Sequence, residues 1–420
     1  MKYLAIMIII SSLIPVFHFN VQDEFLLPPP LKVDLPLEIS IARRVSVREF
    51  SEKLVEDEKL STILWAAYGY TKYGKRTVYA IDGKYSAEVY VLKEDAVYKY
   101  NPKKHSLILF KEGDYRKDVA QYDAPIQIGI VWNKSKNDNE NLSSALIGEI
   151  ARNIAFMANA LELGTVVTVG FTLHKIGLPS DEIAKIIMPL GYPKYPYDFI
   201  YKPMLLPFSL PCIKNSTISL STAIEERREK ENLTGNISLQ ELSQILWASY
   251  GFSYYIDDSE AELNPIIRHR VLPSAHAYYP LCIYAITPCG IYRYFAGLYR
   301  YYMWNLPVLH CLVKIRNGDY RNEIANASSM QISSAPLIII SLLDLRKARG
   351  MIGLWDDLST EEYRWLWYHE AGASAHNILL EATAWNLSAN IATPTDISKI
   401  RNILLTGKNF IPLLVVPVGK

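Results

Sequence analysis

Residues 64–69 read Leu-Trp-Ala-Ala-Tyr-Gly, and residues 246–251 read Leu-Trp-Ala-Ser-Tyr-Gly. Further blocks recur in the same order along the chain. They are Gly-Asp-Tyr-Arg at 113–116 and 318–321, Asp-Ala-Pro at 123–125 against Ser-Ala-Pro at 334–336, and Gly148 with Asn153 against Gly372 with Asn377. A repeat interval as long as a whole domain indicates two copies of one fold and not a solenoid.

The hydrophobic pattern is the same in both copies and predicts an α+β fold. The predicted elements are helices at 59–68 and 239–250, strand pairs at 88–92 with 96–100 and at 281–286 with 290–295, apolar strands at 126–132 and 337–343, and long amphipathic helices at 144–163 and 361–386. Two such copies in one chain predict an internal pseudo-dimer, because a twofold interface needs the same surface on both partners.

The chain has 420 residues, half of them hydrophobic, and a net charge of +1, which gives no electrostatic case for nucleic-acid binding. We expect domains at 39–206 and 207–420, divided near Leu206. The fused chain is expected to act as a monomer.

The N-terminus carries Lys2 and then a mostly apolar run, which predicts a signal peptide or membrane anchor at 1–20. The alternative is a buried helix or a misplaced start codon. Residues 21–38 are rich in proline and are expected to form a stiff linker. Together with several Asn-x-Ser/Thr sequences, the apolar N-terminal run favours an extracytoplasmic protein, secreted or membrane-anchored. The four cysteines lack metal-ligand spacing, so no metal site is expected; they form either one disulfide, such as Cys282–Cys311, or none.

Residues 43–50 read Arg-Arg-Val-Ser-Val-Arg-Glu-Phe. Alternation in an extended strand puts Arg44, Ser46 and Arg48 on one side. Guanidinium forks and a hydroxyl suit a phosphomonoester. The second copy has Arg-Arg-Glu-Lys-Glu-Asn at 227–232, where acids replace the serine and the second arginine, so an anion should bind there poorly.

A loop in the second copy shows the opposite pattern of retention. Residues 270–280 read Arg-Val-Leu-Pro-Ser-Ala-His-Ala-Tyr-Tyr-Pro. Pro273 fixes a turn, and the small side chains of Ser274 and Ala275 let a ligand approach the backbone. The corresponding residues of the first copy, 79–84, lack this pattern.

These blocks resemble the nitroreductase superfamily, and most closely its SagB-type dehydrogenases. The resemblance implies FMN held at a subunit interface, with a phosphate segment from one subunit and a ring-side loop from the other. It assigns Arg43, Arg44, Ser46 and Arg48 to the phosphate, with Lys194 of the Gly-Tyr-Pro-Lys stretch near it. It places the flavin ring against Val169 and Gly170 on one side and Pro273, Ser274 and Ala275 on the other.

The chain also departs from the family pattern. His276 replaces a glycine, although histidine is among the residues that tolerate a positive φ. His376 replaces a glutamine in the stretch Glu-Ala-Gly-Ala-Ser-Ala-His-Asn. The Lys-Tyr pair of peptide-azoline dehydrogenases is absent at Asp357-Leu358, which argues against azoline oxidation. Since one copy keeps the phosphate segment and the other keeps the loop, we expect a single FMN site between the halves.

The resemblance implies an FMN-dependent oxidoreductase that transfers hydride through flavin N5 to or from a small-molecule or peptide substrate. No catalytic residue is assigned, because His276 and Tyr278 are candidates only by their place in the loop. The alternative is a degenerate, non-catalytic module that binds a partner at the membrane.

Overall fold

The computed structural model describes residues 23–195, 198–200, 210–230, 232–257, 268–296, 310–330, 335–350 and 356–420. The first half contains β1 (Glu24–Leu26), α1 (Leu37–Arg43), α2 (Asp57–Tyr68), β2 (Ala87–Leu92), β3 (Ala96–Asn101), β4 (Ser106–Glu112), α3 (Arg116–Val119), β5 (Ile126–Asn133), α4 (Glu140–Ala160), β6 (Gly164–Thr165), β7 (Thr168–Val169), β8 (Glu182–Gly191) and β9 (Asp198–Ile200). The second half contains α5 (Leu220–Glu225), α6 (Leu239–Tyr250), β10 (Phe252–Asp257), β11 (Arg268–Arg270), β12 (Leu281–Thr287), β13 (Gly290–Phe295), β14 (Cys311–Asn317), α7 (Arg321–Ala325), β15 (Leu337–Asp344), α8 (Leu345–Ala348), α9 (Arg364–Ala384), β16 (Ser388–Ala389), α10 (Ile397–Ile403) and β17 (Phe410–Gly419).

Each half builds an antiparallel sheet in which six strands follow the same order, and the first sheet also includes β1 and β7. The first sheet runs β1-β4-β3-β2-β5-β8-β6, and the second runs β14-β13-β12-β15-β17-β16. The central strands β2, β5 and β15 are buried along their whole length, which is why they read as apolar runs. The predicted α+β class and the predicted helices and strands are confirmed, whereas the edge strands and the closing strands β8 and β17 were not predicted.

The long helices α4 and α9 pack against each other between the sheets. The start of α4 follows from local chemistry, because the side chain of Asn139 accepts a hydrogen bond from the amide of Leu142. At the crossing, a β-carbon on Gly148 would lie 2.0 Å from the carbonyl oxygen of His369, and one on Gly372 would lie 2.1 Å from that of Ala145. The contact is therefore reciprocal, as in a twofold interface.

A second reciprocal contact joins the segments that lead into α1 and α5. The amide of Leu37 donates to the carbonyl of Ile218 at 3.1 Å, and the amide of Leu220 donates to the carbonyl of Leu35 at 2.8 Å. One continuous hydrophobic core contains buried side chains from both halves, including Leu37, Ile154 and Ile378.

The segment at 21–38 is not a free linker in its described part. Residues Glu24–Leu26 pair with the edge strand β4, and Val33 is buried in the core. The prediction of a spacer is wrong there, because Val33 is buried with its amide donating to Ser221 Oγ at 2.9 Å, and Leu37 is buried in the core that both halves share. The predicted signal or anchor at 1–20 and the boundary at Leu206 lie outside the described residues. Among the helices that are described, none has the length and apolar character needed to cross a bilayer.

The four thiols are free. Cys282 lies on β12 and Cys311 on β14, and β13 separates these strands, so the two cysteines are not on paired strands, as a Cys282–Cys311 disulfide would require. Cys282 is buried, whereas Cys212 and Cys289 are exposed.

Candidate functional site

The segment at 43–50 begins as the end of a helix and not as a strand. Arg43 is the last residue of α1, and Arg44 leaves it with extended backbone angles (φ −59°, ψ 120°). The amide of Val47 then donates to the carbonyl of Thr165 at 3.0 Å, and Phe50 forms a bridge with Pro193. The segment is thus fixed between the turn at 164–171 and the stretch at 192–194, all in the first half.

Arg44 joins this segment to residues 270–280 of the second half, the ring-side loop. Its side chain is buried, with Nη1 donating to Ser46 Oγ at 3.1 Å and Nη2 donating to the carbonyl oxygen of Arg270 at 3.4 Å. Arg48 is exposed and donates to the carbonyl of Ser46 at 3.3 Å. The structure therefore brings Arg44, Ser46 and the start of the 270–280 loop together.

Arg152, in the middle of α4, is a site residue that the sequence did not indicate. It is fully buried; Nη2 donates to the carbonyl of Val271 at 2.7 Å and Nε to Asn377 Oδ1 at 3.3 Å. Its Nη1 has no hydrogen-bond partner within the described part of the chain. Burial, with the positive charge of Arg44 added, holds the pKa of Arg152 well below its usual range. Such a buried cation is costly unless an anion compensates it.

The ring-side loop has an unusual backbone. His276, Ala277 and Tyr279 have φ values of 48°, 53° and 48°, in the left-handed region that glycine favours. The prediction that His276 tolerates a positive φ is confirmed. Three such residues in a short loop store strain, which is frequent where a loop holds a ligand.

Ser274 and Glu370 form the inner wall behind this loop. Ser274 Oγ donates to Glu370 Oε2 at 2.6 Å and accepts from the amide of Tyr279 at 2.9 Å. Burial raises the pKa of Glu370 to about 7. Glu370 begins the Glu-Ala-Gly-Ala-Ser-Ala-His-Asn stretch at 370–377, and the sequence alone indicates no role for it.

The turn with Val169 and Gly170 lies beside the phosphate segment. A β-carbon on Gly170 would lie 2.8 Å from the backbone of Ile186, so the turn needs glycine for this close approach. Val169 is 45% exposed, and the exposed ring of Phe171 meets the ring of Trp365 edge-on at 6.4 Å. The turn of the first half thus reaches the start of α9 in the second.

Lys194 lies next to the same segment. Its amide donates to the carbonyl of Glu49 at 3.0 Å, and its Nζ is 3.4 Å from Glu49 Oε2. The ammonium group of Lys194 thus lies near the carboxylate of the residue that follows Arg48. A role for Lys194 at a phosphate stays a prediction.

At the position in the second half that corresponds to Arg44 and Ser46, the chain supplies its own counter-ion to the arginine. We call this the neutralised position. Arg227 Nη2 donates to the carbonyl of Arg76 at 2.9 Å, as Arg44 does to Arg270. Glu229, in the place of Ser46, lies 3.0 Å from Arg227 and 3.0 Å from Lys75. The equivalent of Arg44 is therefore Arg227, and the replacing acid is ion-paired.

A histidine occupies the place of Arg152 on that side. His376 Nδ1 is 3.1 Å from Glu149 Oε2, and His376 Nε2 is 2.8 Å from Asn153 Oδ1. Burial holds the pKa of His376 well below its usual range and raises the pKa of Glu149 to about 8. Both shifts favour a neutral pair, so this position lacks the buried positive charge found at Arg152.

Comparisons with known proteins agree with the fold. The model of the family described as "Nitroreductase family" matches residues 41–192. A candidate nitroreductase of Methanocaldococcus jannaschii is 30% identical over 181 residues, which cover 38% of this chain and 91% of the relative. The crystal structure of a candidate nitroreductase from Anabaena variabilis superposes with a TM-score of 0.64 at 13% identity, covering 98% of this chain and 94% of that one, and so shares the fold of both halves. A candidate nitroreductase from Desulfovibrio desulfuricans, solved in complex with FMN, is 20% identical with a TM-score of 0.28, covering 38% of this chain and 87% of that one.

Proposed function

Because this chain belongs to the nitroreductase family, we propose that it is a flavin-dependent oxidoreductase that holds one FMN between its two halves. The supporting observation is the hydrogen bond from Arg44 of the first half to the carbonyl of Arg270 in the second. It sets the phosphate segment directly beside the ring-side loop.

The residues present fit a phosphomonoester. FMN carries nearly two negative charges on its phosphate, and Arg44, Ser46 and Arg48 offer guanidinium and hydroxyl donors from one segment. Arg152 adds a buried positive charge with an unpartnered Nη1 among the described residues. A bound anion would compensate this charge, which explains why a buried guanidinium is tolerated there.

When bound, FMN would supply hydride transfer at its ring, and the protein would supply position and polarity. Gly170 lets the turn approach its neighbours closely, and Val169 exposes an apolar surface next to it. Pro273 and Ser274 offer a stiff, small-residue wall from the other half. Ser274 is fixed by its bonds to Glu370 and Tyr279.

The second position supports the proposal of a single flavin per chain. Glu229 puts a carboxylate beside Arg227 and Lys75, where a phosphate would otherwise bind. A second anion there would meet like charge and would have to displace this ion pair. The residue pair His376 and Glu149 adds no cation in its neutral form.

The reciprocal contacts at Gly148 and Gly372 and the matching strand orders support a tandem duplication. The stretch from Glu370 to Asn377 supports a SagB-type relationship, while Asp357-Leu358 argues against azoline oxidation. We also propose, from the N-terminal residues, that the chain is anchored or exported. From the fusion of the two halves we propose that it acts as a monomer, and from the family that its substrate is a small molecule or a peptide.

Flavin stoichiometry tests the function. The purified full chain, reconstituted with FMN, should be yellow and bind close to one FMN per chain by absorbance. Two per chain would contradict the single site. No flavin after reconstitution would favour the alternative, a non-catalytic binding module. Anaerobic reduction of the bound flavin, followed by a substrate screen, then tests for oxidoreductase activity.

A further inference from the structure

A buried carboxyl group lies one hydrogen bond behind the ring-side loop. Glu370, in the second turn of α9, is fully enclosed; its Oε2 accepts from Ser274 Oγ at 2.6 Å and its Oε1 accepts from the hydroxyl of Tyr250 at 2.6 Å. Ser274 belongs to the loop itself and is half-buried, so it stays partly accessible. Thus Ser274 is the link between Glu370 and whatever the loop contacts.

The protonation state of Glu370 decides how Ser274 uses its hydroxyl group. Ser274 Oγ already accepts from the amide of Tyr279. When Glu370 is ionised, the serine hydrogen points to its carboxylate, and a lone pair is left for a further partner. When Glu370 is protonated on Oε2, the carboxyl donates to Ser274 Oγ, and the serine hydrogen is released toward that partner.

The surroundings of Glu370 place this change within reach of neutral pH. Burial raises its pKa to about 7, against the opposing effects of Ser274, Tyr250, Arg270 and Lys347. The Arg270 guanidinium, whose charge opposes this rise in the pKa of Glu370, lies 5.0 Å from the centre of the Tyr250 ring. Perturbed carboxyl groups with specific partners in a cleft are candidates for a functional role.

We propose that Glu370 is a positioning residue whose protonation state decides whether Ser274 offers the flavin ring a hydrogen-bond donor or an acceptor. The inference rests on the proposed function, because it needs a flavin against Ser274. The polar edge of an oxidised flavin consists mainly of carbonyl oxygens and ring nitrogens that accept hydrogen bonds. Oxidised FMN should therefore favour neutral Glu370, with one proton taken from solvent onto its carboxyl group.

The sign of the pH effect follows from linkage. If bound oxidised FMN raises the pKa of Glu370, binding is tightest where Glu370 is already protonated, and it weakens as pH rises through about 7. A shift of one pKa unit corresponds to a tenfold change in affinity.

Glu370→Gln is the decisive variant, because glutamine copies the neutral acid. Its amide NH₂ group can donate to Ser274, and its carbonyl can accept from Tyr250, so a purely structural role is kept while titration is removed. FMN dissociation constants should be measured by quenching of flavin fluorescence at pH 6 and pH 8 for both proteins. The FMN phosphate itself titrates near pH 6 and affects binding to both proteins. Dividing the wild-type dissociation constant by that of the variant at each pH removes this shared effect.

We expect this ratio to rise about three- to tenfold from pH 6 to pH 8. In a Ser274→Ala background, the same comparison should give a constant ratio. A constant ratio in the presence of Ser274, with tight FMN binding, would overturn the inference and leave the proposed function intact. If neither the wild type nor the variant binds FMN, the proposed function is wrong and the inference with it.

Infrared spectroscopy of the FMN-free protein gives a readout that does not need flavin. The protonated carboxyl band of the wild type should lose more intensity between pH 6 and pH 8.5 than that of Glu370→Gln, in which only other buried acids such as Glu149 still titrate. If the two proteins have the same carboxyl titration, Glu370 does not change protonation in this range and the inference is wrong.

Discussion

Gly148 of α4 lies against the backbone carbonyl of His369 in α9, so close that a β-carbon would stand 2.0 Å from that oxygen. Gly148→Ala should therefore separate the two helices and lower the free energy of unfolding by about 1–3 kcal/mol or more, because backbone cannot move aside as a side chain does. Urea denaturation measures the change. Gly407→Ala is the control, since its β-carbon would meet no atom within 4 Å; an equal loss in both variants would contradict the close contact.

Arg44 and its counterpart Arg227 offer a matched pair for flavin binding. Arg44→Ala should weaken FMN binding about 10- to 100-fold, the effect of losing a charge-assisted hydrogen bond of about 1.5–3 kcal/mol. Arg227→Ala removes an equivalent buried guanidinium from the neutralised position and should leave FMN affinity within about twofold. Fluorescence titration compares the two; equal losses would show that the halves do not differ in flavin binding.

Glu229 should stabilise the protein by compensating Arg227. Glu229→Gln leaves the buried Arg227 and the partly exposed Lys75 without their carboxylate, and should lower the free energy of unfolding by about 1–3 kcal/mol. Glu226→Gln removes an exposed ion pair with Lys72 and should cost at most about 1 kcal/mol. Chemical denaturation in low salt measures both values, and a neutral effect of Glu229→Gln would argue against an internal counter-ion.

His310 should make stability depend on pH. Its ring is held by Ser243 Oγ and the hydroxyl of Tyr294, both at 2.7 Å, and burial lowers its pKa to about 4. The unfolded chain takes up a proton near pH 6.5 and the folded protein does not, so stability is lost as pH falls from about 6.5 to 4. His310→Gln should reduce this loss, measured as unfolding free energies at pH 7 and pH 4.5, by about 2 kcal/mol. An unchanged pH dependence would show that His310 does not contribute.

The repeated blocks around Leu64 with Leu246 and Asn153 with Asn377 predicted much of the fold because they lie in its core, whereas the Gly-Asp-Tyr-Arg blocks at 113–116 and 318–321 are exposed or half-buried. Trp65 and Trp247 occupy equivalent helices, and each donates its indole N–H to a backbone carbonyl, that of Tyr70 or of Phe252, at 2.9 Å. Asn153 and Asn377 donate to the carbonyls of Ala66 and Ala248 in the same way. Residues that make such specific hydrogen bonds are the same in both copies, so the repeat can be recognised in the sequence.

The sequence predicted only part of the site, because the remaining site residues are charged side chains on the buried faces of helices. An amphipathic pattern assigns charged residues to the exposed face, yet Arg152 and Glu370 are buried in α4 and α9. Their surroundings arise from contacts between the halves, with Val271 for Arg152 and Ser274 for Glu370. Likewise, the acid at Glu229 predicted a poor anion site, but its pairing with Lys75 depends on tertiary structure.

The shared interior also bears on how the protein is made. Translation completes α4 well before α9 is synthesised, and α9 covers the face of α4 that contains Gly148. The nascent first half therefore leaves the ribosome with part of its interior uncovered, a condition in which chains aggregate or recruit chaperones.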